Sequence, residues 1–210
     1  MKNPVLIFGS GVLGKIALNI FESNEVFVYG FLDDNDKKHG TEINNVTILG
    51  PTDEQGFLKL IGKKTEAFIA IGNAVERKTL VKMLNEKRKV MPVNAVHARA
   101  YVAEESIMGH GNLIAANTTI NPFAEIGNHN IIHSNVVIDT DAKIGDFVQI
   151  GTGAMINSGV TIEEGVFIGS GAVLVGGITV GKNARIGAGS VVVQDVAAKA
   201  TMFGNPAAKV

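Results

Sequence analysis

Few side chains in this chain are equipped to move protons or form covalent intermediates: it has no cysteine and only five histidines. Without a thiolate there is no cysteine nucleophile, no disulfide framework and no sulfur-ligated metal site. Histidine is the side chain whose ordinary pKa suits proton transfer near neutrality, so each of the five needs an assignment. His133 directly follows Ile132, at a point of the repeat described below from which side chains reach outward, and it stands seven residues before Thr140. It is the candidate base. Asp139 and Asp141 flank Thr140; short acidic residues there could orient a base or hold an ammonium group, or serve only as turn residues. His129, within Asn128-His129-Asn130, reads as a turn residue, His97 and His110 as structural residues of the first coils, and His39, among Asp36-Lys37-Lys38, as solvated. No grouping has the ligand spacing of a zinc site.

A second constellation lies near the start. Gly9-Ser10-Gly11-Val12-Leu13-Gly14 has the glycine spacing of a dinucleotide fingerprint, and Asp33 follows Gly14 by 19 residues, where a ribose ligand would stand. Three readings share this motif: a nicotinamide site, a nucleotide-sugar pocket, or glycines that serve only a tight turn. The first 93 residues hold only about four strand signals, and no substrate domain of the usual dehydrogenase kind follows. That favours the nucleotide-sugar pocket, formed by Gly9, Ser10, Gly11, Asp33, Asp34, Gly72 and Asn73.

The elements that must position these residues alternate between strand and helix. Pro4–Phe8 reads as a strand, the segment after the glycine loop as a helix to about Phe21, and Val26–Leu32 as a second strand. Glu66–Ile71 reads as a third strand, Ala74–Glu86 as a helix, and Val90–Val93 as a fourth strand. The pattern predicts an α/β, Rossmann-like N-terminal domain over residues 1–93, a small parallel sheet with helices on its faces. Ligands of such sheets sit at the carboxyl ends of the strands, where the glycine loop, Asp33-Asp34 and Gly72-Asn73 all fall.

From residue 94 onward a different period takes over. Every sixth residue from Val96 to Val192 is Val, Ile, Leu or Met, with no break in register. Small or β-branched residues stand four places after most steps (Ala124, Val136, Ala142, Ala154, Ala172), with Asn112 and Asn130 as exceptions. Gly127, Gly145, Gly151, Gly169, Gly181 and Gly187 follow the step directly, where they are expected to take backbone angles other residues avoid. Three hexapeptides make one triangular coil, so residues 18 apart stack in an all-β parallel β-helix over residues 94–210.

Composition narrows the function. A balance of 19 basic and 20 acidic residues, net −1, gives no footprint for nucleic acid or an anionic membrane. No 18-residue apolar run occurs and the start reads as a buried strand, so a cytoplasmic setting is expected. Aromatics at 6% beside 25 glycines point to a fold dominated by backbone and small side chains.

Gly9-Ser10-Gly11, Phe31-Leu32-Asp33-Asp34-Asn35, Ala70-Ile71-Gly72-Asn73, the hexapeptide run and the closing Gly204-Asn205-Pro206-Ala207 together resemble one family. It is the bacterial sugar acyltransferases grouped with sialic acid O-acetyltransferase, which includes N-acetyltransferases of UDP-linked 4-amino sugars (bacillosamine pathway) and of GDP-perosamine. The resemblance covers essentially the whole chain. It implies a left-handed β-helix, although parallel crossovers are otherwise right-handed. It also implies a homotrimer with active sites between neighbouring helices, the acceptor's nucleotide in the N-terminal domain, and acetyl-CoA along the β-helix. By resemblance the coenzyme contacts fall near Gln149, Gly151, Ser158, Ser170 and Ala188. No metal is implied.

The chain departs from the family pattern in its loop and in its catalytic segment. Where a histidine often follows the second glycine, Val12-Leu13 stands here. The family's catalytic histidine sits in a segment matching Ile138-Asp139-Thr140-Asp141-Ala142-Lys143-Ile144-Gly145, and Thr140 holds its position; a second histidine matches Gln149. Shifting by one coil gives Ile156-Asn157-Ser158-Gly159, also without histidine. A hydroxyl acceptor depends on a base more than an amine does, so the loss tilts the expectation toward an amino sugar, with the acceptor amine near Thr140 and His133. The resemblance thus implies acetyl-CoA-dependent N-acetylation of a nucleotide-linked amino sugar for surface-glycan synthesis. Sugar O-acetylation and a catalytically inactive nucleotide-sugar-binding homologue remain as alternatives.

Overall fold

The computed structural model describes residues 3–210. Two compact units make up the chain, one ending at Ala98 and the other running from Arg99 to Val210. The repeat's first strand, Ala95–Val96, belongs with the first unit, because Asn24 Nδ2 donates to the Val96 carbonyl at 2.8 Å.

In the first unit, β1 (Val5–Phe8), β2 (Val28–Leu32), β4 (Val46–Gly50) and β5 (Glu66–Ile69) are parallel, and the short β3 (Glu42–Ile43) runs antiparallel to β4. The sheet order is β3-β4-β2-β1-β5. All four residues of β1 are buried, as expected of a central parallel strand covered on both faces. One face packs Leu6, Phe8, Leu32 and Ile69 against Leu58, Leu80 and Leu84. On the other side Phe21, from α1 (Val12–Ser23), meets Phe68 edge-on with ring centres 5.6 Å apart.

The fourth parallel strand is not the one the sequence pattern suggested. Val90–Val93 forms no strand: Lys89 ends α3 (Ala74–Arg88) in the left-handed conformation, and Pro92 has no N–H to give to a ladder. One bond survives, from Val93 N to the Ala67 carbonyl. The strand comes instead from a hairpin turned by Asn44-Asn45, with φ of 47° and 63°. Two successive positive φ angles define the turn that matches strand twist, and asparagine tolerates them best after glycine.

The second unit is the left-handed β-helix. A two-residue strand occurs at every sixth step, and each pairs in parallel with the strand 18 residues away, as in Ile120 with Ile138 and Ile138 with Ile156. The interior stack of Ile114, Ile120, Ile132, Ile138, Ile150 and Ile168 is fully buried, and so are Ala124, Val136, Ala142 and Ala154 at the corners. Asn112 and Asn130, the exceptions in sequence, are also fully buried. They replace packing with a polar ladder in which Asn112 Oδ1 accepts from Asn130 N and Asn130 Oδ1 from Val148 N.

The glycines after each aliphatic step serve a different purpose from the one expected. Left-handed backbone falls two residues later, at Gly153, Gly159 and Gly171 but equally at Asn135, Asp141 and Phe147. Gly145, Gly151 and Gly169 are required by proximity. A Cβ on Gly151 would lie 2.5 Å from Ser170 N, and one on Gly169 would lie 2.4 Å from Ala188 N. At these glycines the next coil's backbone lies so close that no side chain fits, whereas the equivalent place one coil before Gly151 is held by His133. Gly151→Ala is therefore expected to destabilise the fold by about 1–3 kcal/mol, as overpacking does, whereas Gly153→Asn, with nothing near its Cβ and an asparagine-tolerant φ of 70°, should cost well under half of that. Denaturant midpoints of the two variants check the contrast; equal losses would refute it.

Candidate active site

The glycine loop and the ends of β1, β2 and β5 enclose a cleft of about 430 Å³, lined by Gly9, Gly11, Leu13, Asp33, Asp34, Asn35, Lys38, Thr52, Ile71, Gly72 and Glu76. Two glycines shape it. Gly9 has a φ of 98°, and a Cβ there would meet the Ala70 carbonyl at 2.9 Å; a Cβ on Gly14 would strike Gly9 O at 2.2 Å. A Cβ on Gly11 would meet nothing within 4 Å, so this residue opens onto the cleft.

Asp33 holds the loop in place. Its Oδ2 accepts from Ser10 N at 2.9 Å, from Ser10 Oγ in a shorter contact, and from Lys38 Nζ at 3.0 Å; Oδ1 accepts from Asn35 N at 3.0 Å. Burial opposes ionisation of Asp33, but the Ser10, Lys38 and Asn35 donors outweigh it and hold the carboxyl well below the usual carboxylate range. With its oxygens engaged in this way, Asp33 braces the loop instead of presenting itself to a ribose, which removes the main support for a nicotinamide site. Asp34 braces too, accepting from Thr52 N at 2.7 Å and Thr52 Oγ1 at 3.1 Å.

Of the seven residues expected in the pocket, Gly9, Gly11, Asp33, Asp34 and Gly72 line the cleft. Ser10 is buried behind it, and Asn73 caps α3 by accepting from Val75 N and Glu76 N. Sequence reasoning missed Lys38 and read the adjacent His39 as solvated. Lys38 sits on a single 3-10 turn, Asp36–Lys38, capped by the Asn35 side chain and so close behind Asp33 that its ammonium returns to the cleft. His39 is likewise half-buried, its Nε2 lying 2.7 Å from the Asp33 carbonyl. Arg77 was also missed as a functional residue. Only 2% exposed, it donates through Nη1 to the carbonyls of Ile71 at 2.6 Å and Gly72 at 3.0 Å, and burial lowers its pKa to about 10. Its signal was an arginine at the fourth position of a helix that follows a strand-end glycine.

The cleft can take an anion. The N-terminus of α1 is capped by Gly11 with no side-chain bond and has no acidic residue in its first turn. Its first N–H groups lack helical partners and carry the positive end of the helix dipole. Lys38 adds a cationic group with two of its three hydrogens engaged, on Asp33 and Ser10.

On the β-helix, the candidates fall on two edges of the prism. His133 shares one edge with Gly151, Ser170 and Ala188, and its neighbour is Gln149, whose Nε2 is 3.5 Å from His133 Nε2. Burial pushes the His133 pKa below the ordinary 6.5, so the ring is neutral at pH 7. Asp139, Thr140, Asp141 and Ser158 occupy the next edge. Asp139 spans three coils: Ser158 Oγ donates at 2.7 Å, Asn121 Nδ2 and Thr140 N each at 2.8 Å. Led by the Ser158 bond, these donors hold its carboxyl below the usual range despite exposure, so it is a fixed anion and not a base. Asp139 does not orient His133, which lies a full strand away. Asp141 is an exposed turn residue with φ of 60°. His129, nearly fully buried, packs on Phe147 with ring centres 5.0 Å apart, a structural role. No group of three His, Cys, Asp or Glu side chains among the described residues could hold a metal ion, and no helix there is long and apolar enough to cross a membrane.

Residues 4–84 match the PglD N-terminal domain, and residues 141–176 and 159–194 match the bacterial transferase hexapeptide (six repeats). The chain is a hexapeptide-repeat acyltransferase. PerB from Caulobacter crescentus, crystallised with CoA and GDP-perosamine, superimposes on the acyltransferase with a TM-score of 0.90 at 26% identity, covering 100% of this chain and 98% of its own. WeeI from Acinetobacter baumannii does so with a TM-score of 0.83 at 26% identity and 99% coverage of both chains. The acetyltransferase domain of PglB from Neisseria gonorrhoeae, crystallised with acetyl coenzyme A, shares the fold at 24% identity, with a TM-score of 0.90 and 100% coverage of both. No curated protein sequence matches the acyltransferase.

Because the folded pKa of Asp33 is depressed from 3.8, its contribution to the acyltransferase's stability is complete above about pH 5 and fades as pH falls through the carboxylate range. Asp33→Asn is expected to lower the melting temperature at pH 7, with the gap to the unaltered protein narrowing steadily below pH 4. A constant gap from pH 7 to pH 3 would show that shape, and not charge, is what Asp33 contributes.

Proposed function

We propose that the acyltransferase transfers the acetyl group of acetyl-CoA to the amine of a nucleotide-linked amino sugar, in the cytoplasm, during surface-glycan synthesis. The observation that carries this reading is the cleft at Gly9–Gly11, where the bare N-terminus of α1 and the Lys38 ammonium converge at the carboxyl ends of a parallel sheet. A diphosphate fits that chemistry, and PerB, similar over its whole length, binds GDP-perosamine.

The β-helix supplies the other half of the reaction. The edge bearing His133 continues through Gly151 and Gly169, which carry no side chain, to Gly187, which the Phe203 ring covers; a pantetheine arm along the two bare glycines can approach the backbone. In the proposed step the sugar amine attacks the thioester carbonyl, the C–S bond breaks, and the amine proton passes to His133 and on to the departing thiolate. A neutral imidazole can accept that proton where an imidazolium cannot. Asp139, fixed as an anion on the neighbouring edge, holds the ammonium form of the acceptor before it gives its first proton to solvent and becomes the attacking amine. We further propose a homotrimer, in which the His133 edge of one subunit faces the Asp139–Thr140 edge of the next and Ser158 and Gln149 border the coenzyme.

The test is release of CoA thiol from acetyl-CoA with UDP-, GDP- and dTDP-linked amino sugars as acceptors. One acceptor should support release. His133→Ala should then lower kcat by about 10²–10⁴-fold, the usual contribution of a positioned base. The acid limb of the rate profile should lie below pH 6.5, because burial lowers the His133 pKa and protonation removes the acceptor lone pair. An acid limb above pH 7, or unchanged turnover in His133→Ala, would exclude His133 as the base. Binding of an acceptor without thiol release across the panel would identify a protein that binds but does not transfer, and an ester-linked product would identify a hydroxyl acceptor.

A further inference from the structure

Three carboxylates line the nucleotide cleft: Asp33, Asp34 and Glu76. The first two spend their acceptor capacity on the protein itself, Asp33 on Ser10, Asn35 and Lys38, and Asp34 on Thr52. Glu76 differs. It stands exposed in the first turn of α3, its N–H is taken by Asn73 Oδ1 at 3.2 Å, and no donor among the described residues reaches its carboxylate. The cleft therefore presents one anion with both oxygens open, on the α3 wall, and one cationic site at Lys38 and the α1 N-terminus.

An open carboxylate in a cleft that takes a diphosphate weakens phosphate binding by like-charge repulsion. The α3 dipole offsets part of that cost, since Glu76 stands in the helix's first turn, and a ligand that brings donors to the carboxylate offsets the rest. A ribose diol also brings donors that a carboxylate accepts, but it is common to every nucleotide and so sets no preference among them. Among the nucleobases, guanine alone presents two adjacent donors, N1–H and the 2-amino group, spaced to meet both oxygens of one carboxylate in the parallel arrangement that makes charge-assisted pairs strong. Uracil and thymine offer one N–H between two carbonyls, and each carbonyl would oppose a carboxylate oxygen. Adenine and cytosine each place an acceptor beside their amino group. A lone carboxylate in this position thus both attracts guanine and repels pyrimidine imides, which is how specificity is built from one attractive and one repulsive contact.

Resting on the reading of the cleft as a nucleotide-sugar site, we infer that Glu76 is the base-reading residue and makes the cleft selective for a guanosine diphosphate sugar over uridine and thymidine counterparts.

Calorimetric titration of the full chain with GDP, IDP, UDP and dTDP tests this, using the unaltered protein and Glu76→Gln. GDP is expected to bind at least about tenfold more tightly than UDP or dTDP, with IDP, which lacks the 2-amino donor, in between. In Glu76→Gln the GDP advantage should collapse while UDP affinity is unchanged or improved, since the repulsion is gone. Glu76 is exposed and glutamine is isosteric, so an unchanged melting temperature certifies the variant's fold. Equal weakening of GDP and UDP in the variant, or a preference of the unaltered protein for UDP or dTDP, would overturn the assignment and leave the nucleotide site standing. No binding of any of the four would overturn the nucleotide site itself.

Discussion

Each coil of the β-helix closes on the next through backbone bonds between residues about 18 apart, such as Asp139 N to Ile156 O and Gly151 N to Ile168 O. Everything else in the second unit follows from keeping that distance constant through every turn. From Val96 to Val192 each coil is three hexapeptides long, and that length keeps the ladder in register. Interior positions are short of space, which is why isoleucine and valine alternate with alanine. Where one edge presses against the next coil, the residue has to be glycine. The buried Asn112–Asn130 pair obeys the same rule by another route, since each side chain replaces a missing backbone acceptor for the coil beyond it.

The same rigidity decides where chemistry can happen. Interior side chains are sealed, strand residues pointing outward stand in flat sheets, and only the edges offer side chains that project and backbone groups that lie open. His133 and Asp139 are both edge residues, on successive corners, and the rigid prism keeps them apart within one chain. A reaction that uses both has to bring them from different copies. Asp139 is well suited to a fixed charge, because donors from the coils on either side hold it and no conformational search is left to it. In the first unit the equivalent anchor is Asp33, whose bonds to Ser10, Asn35 and Lys38 join loop, strand end and turn into one wall.

The β-helix was legible from Val96 to Val192, where its signal is repeated at every sixth residue and no single position has to be read alone; the antiparallel pair Thr201–Gly204 and Ala207–Lys209 that follows lies outside that period and was not. The first unit was legible in its longest elements, β1, α1 and α3, whose apolar runs and glycine loop leave little choice. Its fourth strand was not, since Val90–Val93 has strand composition and only Pro92 argues against it, while Asn44-Asn45 marks the true hairpin in two residues. Site residues followed the same division. Glycines were found because their role is backbone geometry that a motif records. Lys38, Thr52 and Glu76 were not, because their role depends on which side chains are already engaged, and pairing between residues 18 or 28 places apart leaves no periodic trace. The glycines after the aliphatic step were correctly located but assigned the wrong cause, because sequence alone does not separate a need for positive φ from a need for bare contact.

The resemblance in sequence puts Thr140 where a catalytic histidine is expected, and this bears on what the proposed site would accept. A sugar hydroxyl has a pKa far above any side chain here, so its attack on a thioester depends on a base aligned at the moment of bond formation. An amine needs only to be unprotonated, after which it attacks unaided and sheds its proton once the tetrahedral centre has formed. The conflict is that Asp139 favours the charged ammonium, while His133, kept neutral by burial, favours its loss. In the proposed reaction, placing these groups on opposing edges resolves it: the anion would collect and orient the acceptor, the ammonium would lose its first proton to solvent, and the neutral ring would take the second once the nitrogen has attacked the thioester. A base that need not be aligned before attack can be displaced along the prism without abolishing transfer, and Thr140, its backbone N–H given to Asp139, then serves the fixed anion instead of replacing the base.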